Sequence, residues 1–137
     1  MLYLVLMYAV AEETRTMSAS LREAVARKHE AFRLELTTSG ELLNGAGLQL
    51  PDETTASRFG SSGQTHITGP LIAAHEHVTA YYVLDCATRE RAIALAERVL
   101  DEHVIAVEVR GIHDWFGMVK YGGEPLAGPS DTGTDRS

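Results

Sequence analysis

The middle of the chain, from residue 39 to residue 86, is divided into short pieces by residues that favour turns. These residues are Gly40, Gly45, Gly47, Gly69 and Pro70. Glycine permits sharp turns and close backbone approaches, and proline lacks the amide donor that a strand needs. The pattern predicts a tight bend at Asn44–Gly47, followed by a hairpin in which Gly60-Ser-Ser-Gly63 joins residues 54–59 to residues 64–68. The middle of the chain therefore favours short strands over helices.

Longer apolar strands are predicted at the end of this stretch and at both ends of the domain. They are Leu2–Tyr8, His77–Cys86 and Val104–Arg110. Alternation in the second strand predicts one face of Val78, Ala80, Tyr82 and Leu84, opposite His77, Thr79, Tyr81, Val83 and Asp85. In the third strand, Ile105, Val107 and Val109 are expected to point inward.

Two helices separate these strands. The first is predicted to begin at Ser20, which has capping-box spacing with Glu23, or at the alternative cap Ser18, and to end at Gly40. Its apolar stripe consists of Leu21, Val25, Phe32 and Leu36. His29 falls inside that stripe, which is an unusual place for a titratable side chain. The segment 11–17 is predicted to be a polar connection.

The second helix is predicted from the cap Thr88 to about His103. Its apolar face is expected to combine Ile93, Ala96 and Leu100 with Ala92 and Val99. Strands that alternate with two helices in one domain predict an α+β sheet with both helices on one face. Because the strands are apolar on both faces, we expect a homodimer that buries sheet against sheet.

Composition and charge exclude several classes of protein. The chain has 137 residues, 45% of them hydrophobic, and a formal net charge of −7, which argues against a nucleic-acid partner. Its single cysteine, Cys86, excludes an intrachain disulfide and is typical of a reducing compartment. We expect a domain over residues 1–119 and a flexible tail over residues 120–137, where no periodicity remains.

The N-terminal apolar run, residues 1–10, leaves an alternative open. Ala9-Val10-Ala11 is similar to a signal-peptidase site, but no Lys or Arg precedes the run. The run is also much shorter than the ~20 residues of a membrane-spanning helix. We therefore expect a buried strand, a cytoplasmic protein and no membrane partner.

Several segments resemble the YCII-related proteins, in the branch named for an Asp-Gly-Pro-Phe motif. They are Leu42-Leu-Asn-Gly-Ala-Gly-Leu-Gln-Leu-Pro51, Thr68-Gly-Pro70, Tyr81-Tyr-Val-Leu-Asp85 and Ala92-Ile-Ala-Leu-Ala96. The resemblance covers about residues 2–112 and implies a ferredoxin-like fold assembled as a dimeric α/β barrel. It also implies either proton transfer on small ring compounds or a role beside extracytoplasmic-function sigma factors. The eponymous motif is altered here, because Thr68 and Leu71 replace its Asp and Phe and Ala73 replaces the acidic residue that usually follows.

The same resemblance implies a His–carboxylate pair, His29 with Asp52, and a basic position at Arg58. An imidazole shuttles protons at neutral pH, and a carboxylate fixes its tautomer and orientation. Such a carboxylate should outweigh partial burial and favour the cation. The alternative is a semi-buried histidine bonded to a backbone carbonyl, with Asp52 exposed.

Other side chains are candidates for ligand binding, or for ordinary structural roles. We expect Arg58, His66, Pro70 and Tyr82 to bind a small ligand, with Arg58 and Tyr82 holding an anionic or aromatic group. His75 and His77, with His66 as a third ligand, form a weaker metal candidate, since no carboxylate has the required spacing. We expect no metal or other cofactor, and a structural role for Cys86.

Two functions follow from these residues. The first is a cofactor-free lyase or isomerase that moves a proton on a small cyclic or anionic metabolite. In it His29 is the acid or base, Asp52 orients it, and Arg58 binds the anionic group. The second is a non-catalytic, ligand-binding or regulatory dimer that uses the same pocket. The altered motif favours the second function, and His29 favours the first.

Overall fold

The computed structural model describes residues 1–117. The predicted tail, residues 120–137, lies outside the described residues. The strands are β1 (Leu2–Val10), β2 (Leu42–Gly47), β3 (Thr55–Gly60), β4 (Gly63–Thr68), β5 (Glu76–Asp85) and β6 (Ala106–Gly111). The α-helices are α1 (Ala11–Arg15), α2 (Ala19–Ser39) and α3 (Arg89–Glu97), and a 3-10 turn spans Pro51–Glu53.

Four strands form one sheet in the order β2-β5-β1-β6. Every neighbouring pair in it is antiparallel. The predicted α+β class is confirmed, and this order is compatible with a ferredoxin-like fold. Strands β3 and β4 form a separate two-stranded sheet, as the hairpin prediction required.

The core lies between the sheet and the two longer helices. Tyr3, Val5 and Met7 alternate along β1 and are at most 3% exposed. They belong to one cluster with Leu36 of α2 and Leu95 of α3. Because alternate residues of a strand share a face, both helices cover the same face of the sheet.

Helix α2 ends at Gly40 as predicted, and it begins at the alternative cap and not at Ser20. Of the two serines, Ser18 is the cap, since its hydroxyl accepts from the amide of Leu21 at 3.2 Å. Gly40 has a φ of 82°, a left-handed conformation that glycine adopts without a Cβ clash. Of the predicted stripe, only Phe32 and Leu36 are buried, because the N-terminal half of the helix overlies a cleft.

The second predicted helix is shorter than expected. Thr88 caps α3 by accepting from the amide of Arg91 at 3.1 Å, but the helix ends at Glu97. Asp101 then forms a turn with Val104, so the chain cannot continue as helix to residue 103. The buried residues of this segment are Ala92, Leu95, Ala96 and Val99, whereas Ile93 and Leu100 are 38% and 41% exposed. The predicted face was therefore only partly right.

Three smaller predictions were also wrong. Residues 11–17, expected to be a connection, contain α1. Ile105, expected to point inward, is 39% exposed and precedes β6. The expected bend at Asn44–Gly47 is instead strand β2, whose small residues serve close packing and not a turn. A Cβ on Gly45 would lie 2.6 Å from Cδ1 of Tyr82 and 2.9 Å from the carbonyl oxygen of Tyr81.

A β-bulge in β5 changes the predicted faces of that strand. Met7 of β1 pairs with Ala80, and the next residue, Tyr8, pairs with Val78, so Thr79 is the extra residue. His77 therefore pairs with the fully buried Ala9 and lies on the helix-covered face of the sheet. The prediction that His77 and Tyr82 lie on opposite faces was wrong. One additional residue in a strand moves every side chain beyond it to the other face.

Candidate functional site

A cleft of about 680 Å³ lies between α2 and strands β2 and β5. Helix α2 contributes one face to it, on which His29, Arg33 and Thr37 recur every four residues. The other lining residues are Met7, Val25, Ala26, Leu42, Leu43, Asn44, Gly45, Ala46, Gly47, Leu48, Thr79, Ala80, Tyr82, His103 and Val104. Its walls are mostly apolar and carry a few polar groups, which is the usual character of a small-molecule site.

His29 lies in this cleft, but its neighbouring carboxylate is Asp101 and not Asp52. The Nε2 of His29 is 3.9 Å from Oδ2 of Asp101, a distance too long for a hydrogen bond. Asp52 instead pairs with Arg15, with 3.3 Å between Nη2 and Oδ1. The expected contact between His29 and Asp52 is therefore not formed, because the turn that carries Asp52 packs beside α1.

Asp101 holds the loop after α3 in place. Its Oδ1 accepts from the backbone amides of His103, at 2.8 Å, and Val104, at 2.6 Å. Its Oδ2 accepts from Nζ of Lys28 at 3.0 Å. Burial is the largest influence on the pKa of Asp101 and acts to raise it, but these hydrogen bonds together outweigh burial and lower that pKa. Asp101 therefore remains ionised beside His29.

Burial dominates the protonation of His29. The side chain is only 12% exposed, and its pKa is lowered from 6.5 chiefly because burial disfavours the charged ring. The charge of Asp101 opposes this effect, while Lys28, Arg33 and His103 add to it. The expectation that a carboxylate would favour the cation applied to a pair with Asp52, and that pair is not formed; beside Asp101, burial has the larger effect on the pKa of His29. At neutral pH His29 is an uncharged imidazole that can accept a proton.

Among residues 1–117, Arg33 is the cationic side chain that lines the cleft, a role that the sequence had suggested for Arg58. Its Nη1 donates to the hydroxyl of Tyr82 at 3.4 Å. The ion pairs along α2 engage Arg27, Lys28 and Glu35, and within residues 1–117 none engages Arg33. Its guanidinium therefore remains available to an anion.

Tyr82 is the one predicted ligand-binding residue that the cleft includes. The ring is 5% exposed and packs at 6.2 Å from the ring of Phe32. Arg98 lies 4.9 Å from the centre of the Phe32 ring and forms a bidentate ion pair with Glu35 at 2.7 and 2.9 Å. These contacts fix the wall behind the Tyr82 hydroxyl.

The other three predicted ligand-binding residues lie outside the cleft. Arg58 and His66 are exposed on opposite strands of the hairpin, and the nearest polar partner of His66 is Gln64 at 3.2 Å. Pro70 is exposed just after the hairpin. In the described chain these three side chains do not meet His29.

Sequence reasoning missed His103 as a site residue because it assigned that position to a helix. His103 lines the cleft from the loop that Asp101 holds. A signal was present in the short polar segment Asp101-Glu102-His103, since Asp accepts readily from amides two residues further along. His77, now on the helix-covered face, lies near His103, and its pKa is lowered chiefly by burial and then by that neighbouring ring.

The histidines do not assemble into a metal site within the described part of the chain. His75 precedes β5 and is exposed, whereas the bulge carries His77 to the helix-covered face. Residues 1–117 contain no group of three His, Cys, Asp or Glu side chains that could hold a metal ion. Cys86 is buried at 2% exposure, and burial raises the pKa of its thiol, which favours the structural role expected for it.

Neither the models of known protein families nor the curated proteins match this chain. Among residues 1–117, no helix combines the length and the apolar character needed to cross a membrane.

Proposed function

We propose that the protein binds a small organic anion in the cleft between α2 and β2, and that His29 moves a proton on that ligand. One observation carries the proposal. A guanidinium that no ion pair within residues 1–117 engages, that of Arg33, lies one helical turn from an uncharged, largely buried imidazole, His29, in a single apolar cleft. A cation binds and orients the anion, and the imidazole accepts the proton.

The chemistry is that of a cofactor-free isomerase or lyase. His29 takes a proton from a carbon next to a carboxylate or carbonyl group. The electron pair of that C–H bond moves onto the oxygen, where Arg33 and the hydroxyl of Tyr82 stabilise the developing negative charge. In an isomerase the proton returns to a different carbon, and in a lyase it goes to the departing group. The ligand that we propose is a small cyclic acid.

One observation favours the alternative, a non-catalytic or regulatory ligand-binding protein. The nearest carboxylate oxygen is 3.9 Å from His29, and Asp101 is already occupied by Lys28 and two backbone amides. No carboxylate among the described residues thus fixes the tautomer of the imidazole. In this alternative the same cleft binds the anion, and no proton moves.

The proposal includes a homodimer in the form of a dimeric α/β barrel. On the sheet face opposite the helices, β1 presents Leu2, Leu4, Leu6 and Tyr8, all of them only partly buried. A second copy would cover this apolar strip. Leu4→Lys should therefore shift the sedimentation coefficient from that of a dimer to that of a monomer. The matched change Leu34→Lys, on the exposed side of α2, should not.

Variants of the two arginines test the anion site. Arg33→Gln should weaken the binding of small cyclic carboxylates at least ~10-fold, because a charge-assisted contact is lost. Arg58→Gln, on the hairpin, is the matched control and should change affinity by less than ~2-fold. Isothermal titration with a panel of such acids measures both. Equal losses in the two variants, or no binding by the natural protein, would contradict the proposal.

His29→Gln separates the two functions. It should abolish turnover of any acid that the natural protein converts and leave binding within a few-fold, because Gln cannot take up a proton. Proton exchange between a bound acid and deuterated water, followed by NMR, measures the catalytic step directly. Binding without exchange in the natural protein would favour the non-catalytic alternative.

A further inference from the structure

Strand β2 presents its edge, and not one of its faces, to the cleft. Every residue from Leu42 to Leu48 lines the cleft. A strand that turned one face to a cavity would contribute alternate residues only, because successive side chains point to opposite faces. β2 is the last strand of its sheet and, within residues 1–117, pairs only with β5. The amide and carbonyl groups at alternate positions of β2 therefore point away from β5, and no strand of the described chain pairs with them.

This edge lacks the features that usually keep a free strand from pairing with another chain. The segment 42–48 reads Leu-Leu-Asn-Gly-Ala-Gly-Leu and contains neither a charged residue nor a proline. Its register shift lies at the start, between Leu42 and Asn44, and pairing with β5 is regular from there to Gly47. Residues 44–47 are exposed, and their side chains are short or absent. Another backbone can therefore approach β2 closely.

The opposite wall of the cleft is helix α2, and the two walls have similar lengths. The lining residues of α2 run from Val25 to Thr37, about 18 Å at 1.5 Å per residue. The lining segment of β2 is about 20 Å long at 3.3 Å per residue. A groove between a helix and a free strand edge suits an extended peptide, which joins the sheet as one more strand. Such a peptide fills this groove with about five residues.

Arg33 lies near the middle of this groove. Its Nη1 donates to the hydroxyl of Tyr82 at 3.4 Å, and Tyr82 pairs with Gly45 in the middle of β2. No ion pair within residues 1–117 engages the guanidinium. The side chains of an added strand alternate between the two faces of the sheet, and α2 covers one of those faces. In a peptide that fills the groove, the carboxylate that meets Arg33 therefore belongs to an internal side chain and not to the C-terminus.

We infer that the groove between α2 and β2 binds an extended segment of a partner protein, which pairs with the free edge of β2 and directs an acidic side chain to Arg33. Side chains at alternate positions of the segment share the face toward α2, where Val25 and Ala26 provide apolar contacts. The partner therefore carries an accessible segment in which apolar residues and one acidic residue occupy alternate positions. This inference goes beyond the proposed small acid and shares only Arg33 with it.

The peptide acetyl-Val-Ser-Glu-Ser-Val-amide is the probe, and its pattern suits either direction along β2. The natural protein should bind it at least ~10-fold more tightly than the analogue with Gln in place of Glu, because a charge-assisted contact is lost. Isothermal titration measures both peptides. Arg33→Gln should remove the preference for Glu, and the matched control Arg58→Gln, on the hairpin, should retain it.

Two methylated forms of the probe test whether its backbone pairs with β2. One carries N-methyl groups on both Ser residues, and the other carries them on Glu and on the second Val. Amides at alternate positions of a strand point to opposite edges, so only one of the two sets faces β2. One form should lose at least ~10-fold in affinity, and the other should bind within ~3-fold of the probe. Equal losses in the two forms would overturn the pairing.

Amide hydrogen exchange shows where the probe binds. The probe should slow the exchange of alternate amides within residues 42–48 by at least ~10-fold, and benzoate, which has no backbone, should not. A probe that does not bind overturns the inference, whereas benzoate binding that Arg33→Gln weakens leaves the proposed anion site standing. Probe binding that Arg33→Gln does not change overturns both. If these amides are already protected in the free protein, and more strongly at higher protein concentration, a second copy occupies the edge and the inference is wrong.

Discussion

Removal of the Asp101 carboxylate should lower the free energy of unfolding by more than the loss of an exposed ion pair does. Asp101→Ala leaves the amides of His103 and Val104 without the acceptor that they contact at 2.8 and 2.6 Å. Each lost bond costs about 1 kcal/mol, since the side chain is 21% exposed and water can partly replace it. The ion pair between Asp101 and Lys28 contributes at most a further ~1 kcal/mol. The sum is about 2–3 kcal/mol, or roughly 6–15 °C in Tm for a chain of this size.

Two matched variants divide that loss into its parts. Asp101→Asn keeps an oxygen acceptor for the two amides and should cost only ~1 kcal/mol, and Lys28→Met should cost no more than that. Urea unfolding and thermal melts followed by circular dichroism measure all three variants. If Asp101→Ala costs no more than Lys28→Met, the carboxylate does not hold the loop and the reasoning fails. If Asp101→Asn costs as much as Asp101→Ala, the charge of Asp101 stabilises the loop, and the two accepted hydrogen bonds do not.

Three further substitutions, the first with a matched control, test the packing of β2 and the ends of α2 and α3. Gly45→Ala should cost ~1–3 kcal/mol in urea unfolding and weaken carboxylate binding, because a Cβ 2.6 Å from the Tyr82 ring must displace it. Gly47→Ala, whose Cβ would meet no atom of residues 1–117 within 4 Å, should do neither, and equal effects would contradict the steric account. Gly40→Ala should cost ~1 kcal/mol, since its φ is 82°, and an unchanged urea midpoint would contradict that. Thr88→Ala should lower the free energy of unfolding by ~1 kcal/mol through the lost cap of α3, and no loss would mean that the cap is replaced.

The fold class was predictable because local signals agreed with each other. The continuous apolar run of β1, the cap Thr88 of α3, and Gly40 at the end of α2 each depend on neighbours within a few residues. The hairpin around Gly60 and Gly63 is equally local. Such signals can be read from the sequence, since the physical interaction and the sequence pattern have the same short range.

The candidate site was less predictable because its contacts are long-range. His29 was identified from its place in a stripe, but its neighbour Asp101 is far away in sequence and was assigned to a helix. The bulge at Thr79 decides the face of His77, and no local pattern marks it. Arg33 was visible one turn after His29. Only the tertiary structure shows that no ion pair within residues 1–117 engages it.

The lowered pKa values of two histidines predict how stability changes with pH. Burial is the main cause for both His29 and His77, whose pKa values lie below 6.5 in the folded protein. As the pH falls through 6.5, the unfolded chain takes up protons that the folded protein does not. The free energy of unfolding therefore decreases on acidification and rises with pH across this window. The slope is at most about 1.4 kcal/mol per pH unit for each proton.

Urea unfolding between pH 7.5 and pH 5 tests this sign. The pKa of Asp101 is lowered from 3.8, so Asp101 takes up its proton at a pH below this range. Its titration therefore does not contribute to the slope between pH 7.5 and pH 5. The double variant His29→Gln with His77→Gln should flatten the slope, and each single variant should remove part of it.

In an NMR titration His29 should have a midpoint below 6.5, and Asp101→Asn should lower the midpoint further because the opposing charge is lost. A midpoint above 6.5 would mean that the carboxylate outweighs burial. Only with a midpoint well above 7 would His29 be mostly a cation at neutral pH, and it could then not act as the base proposed for this cleft.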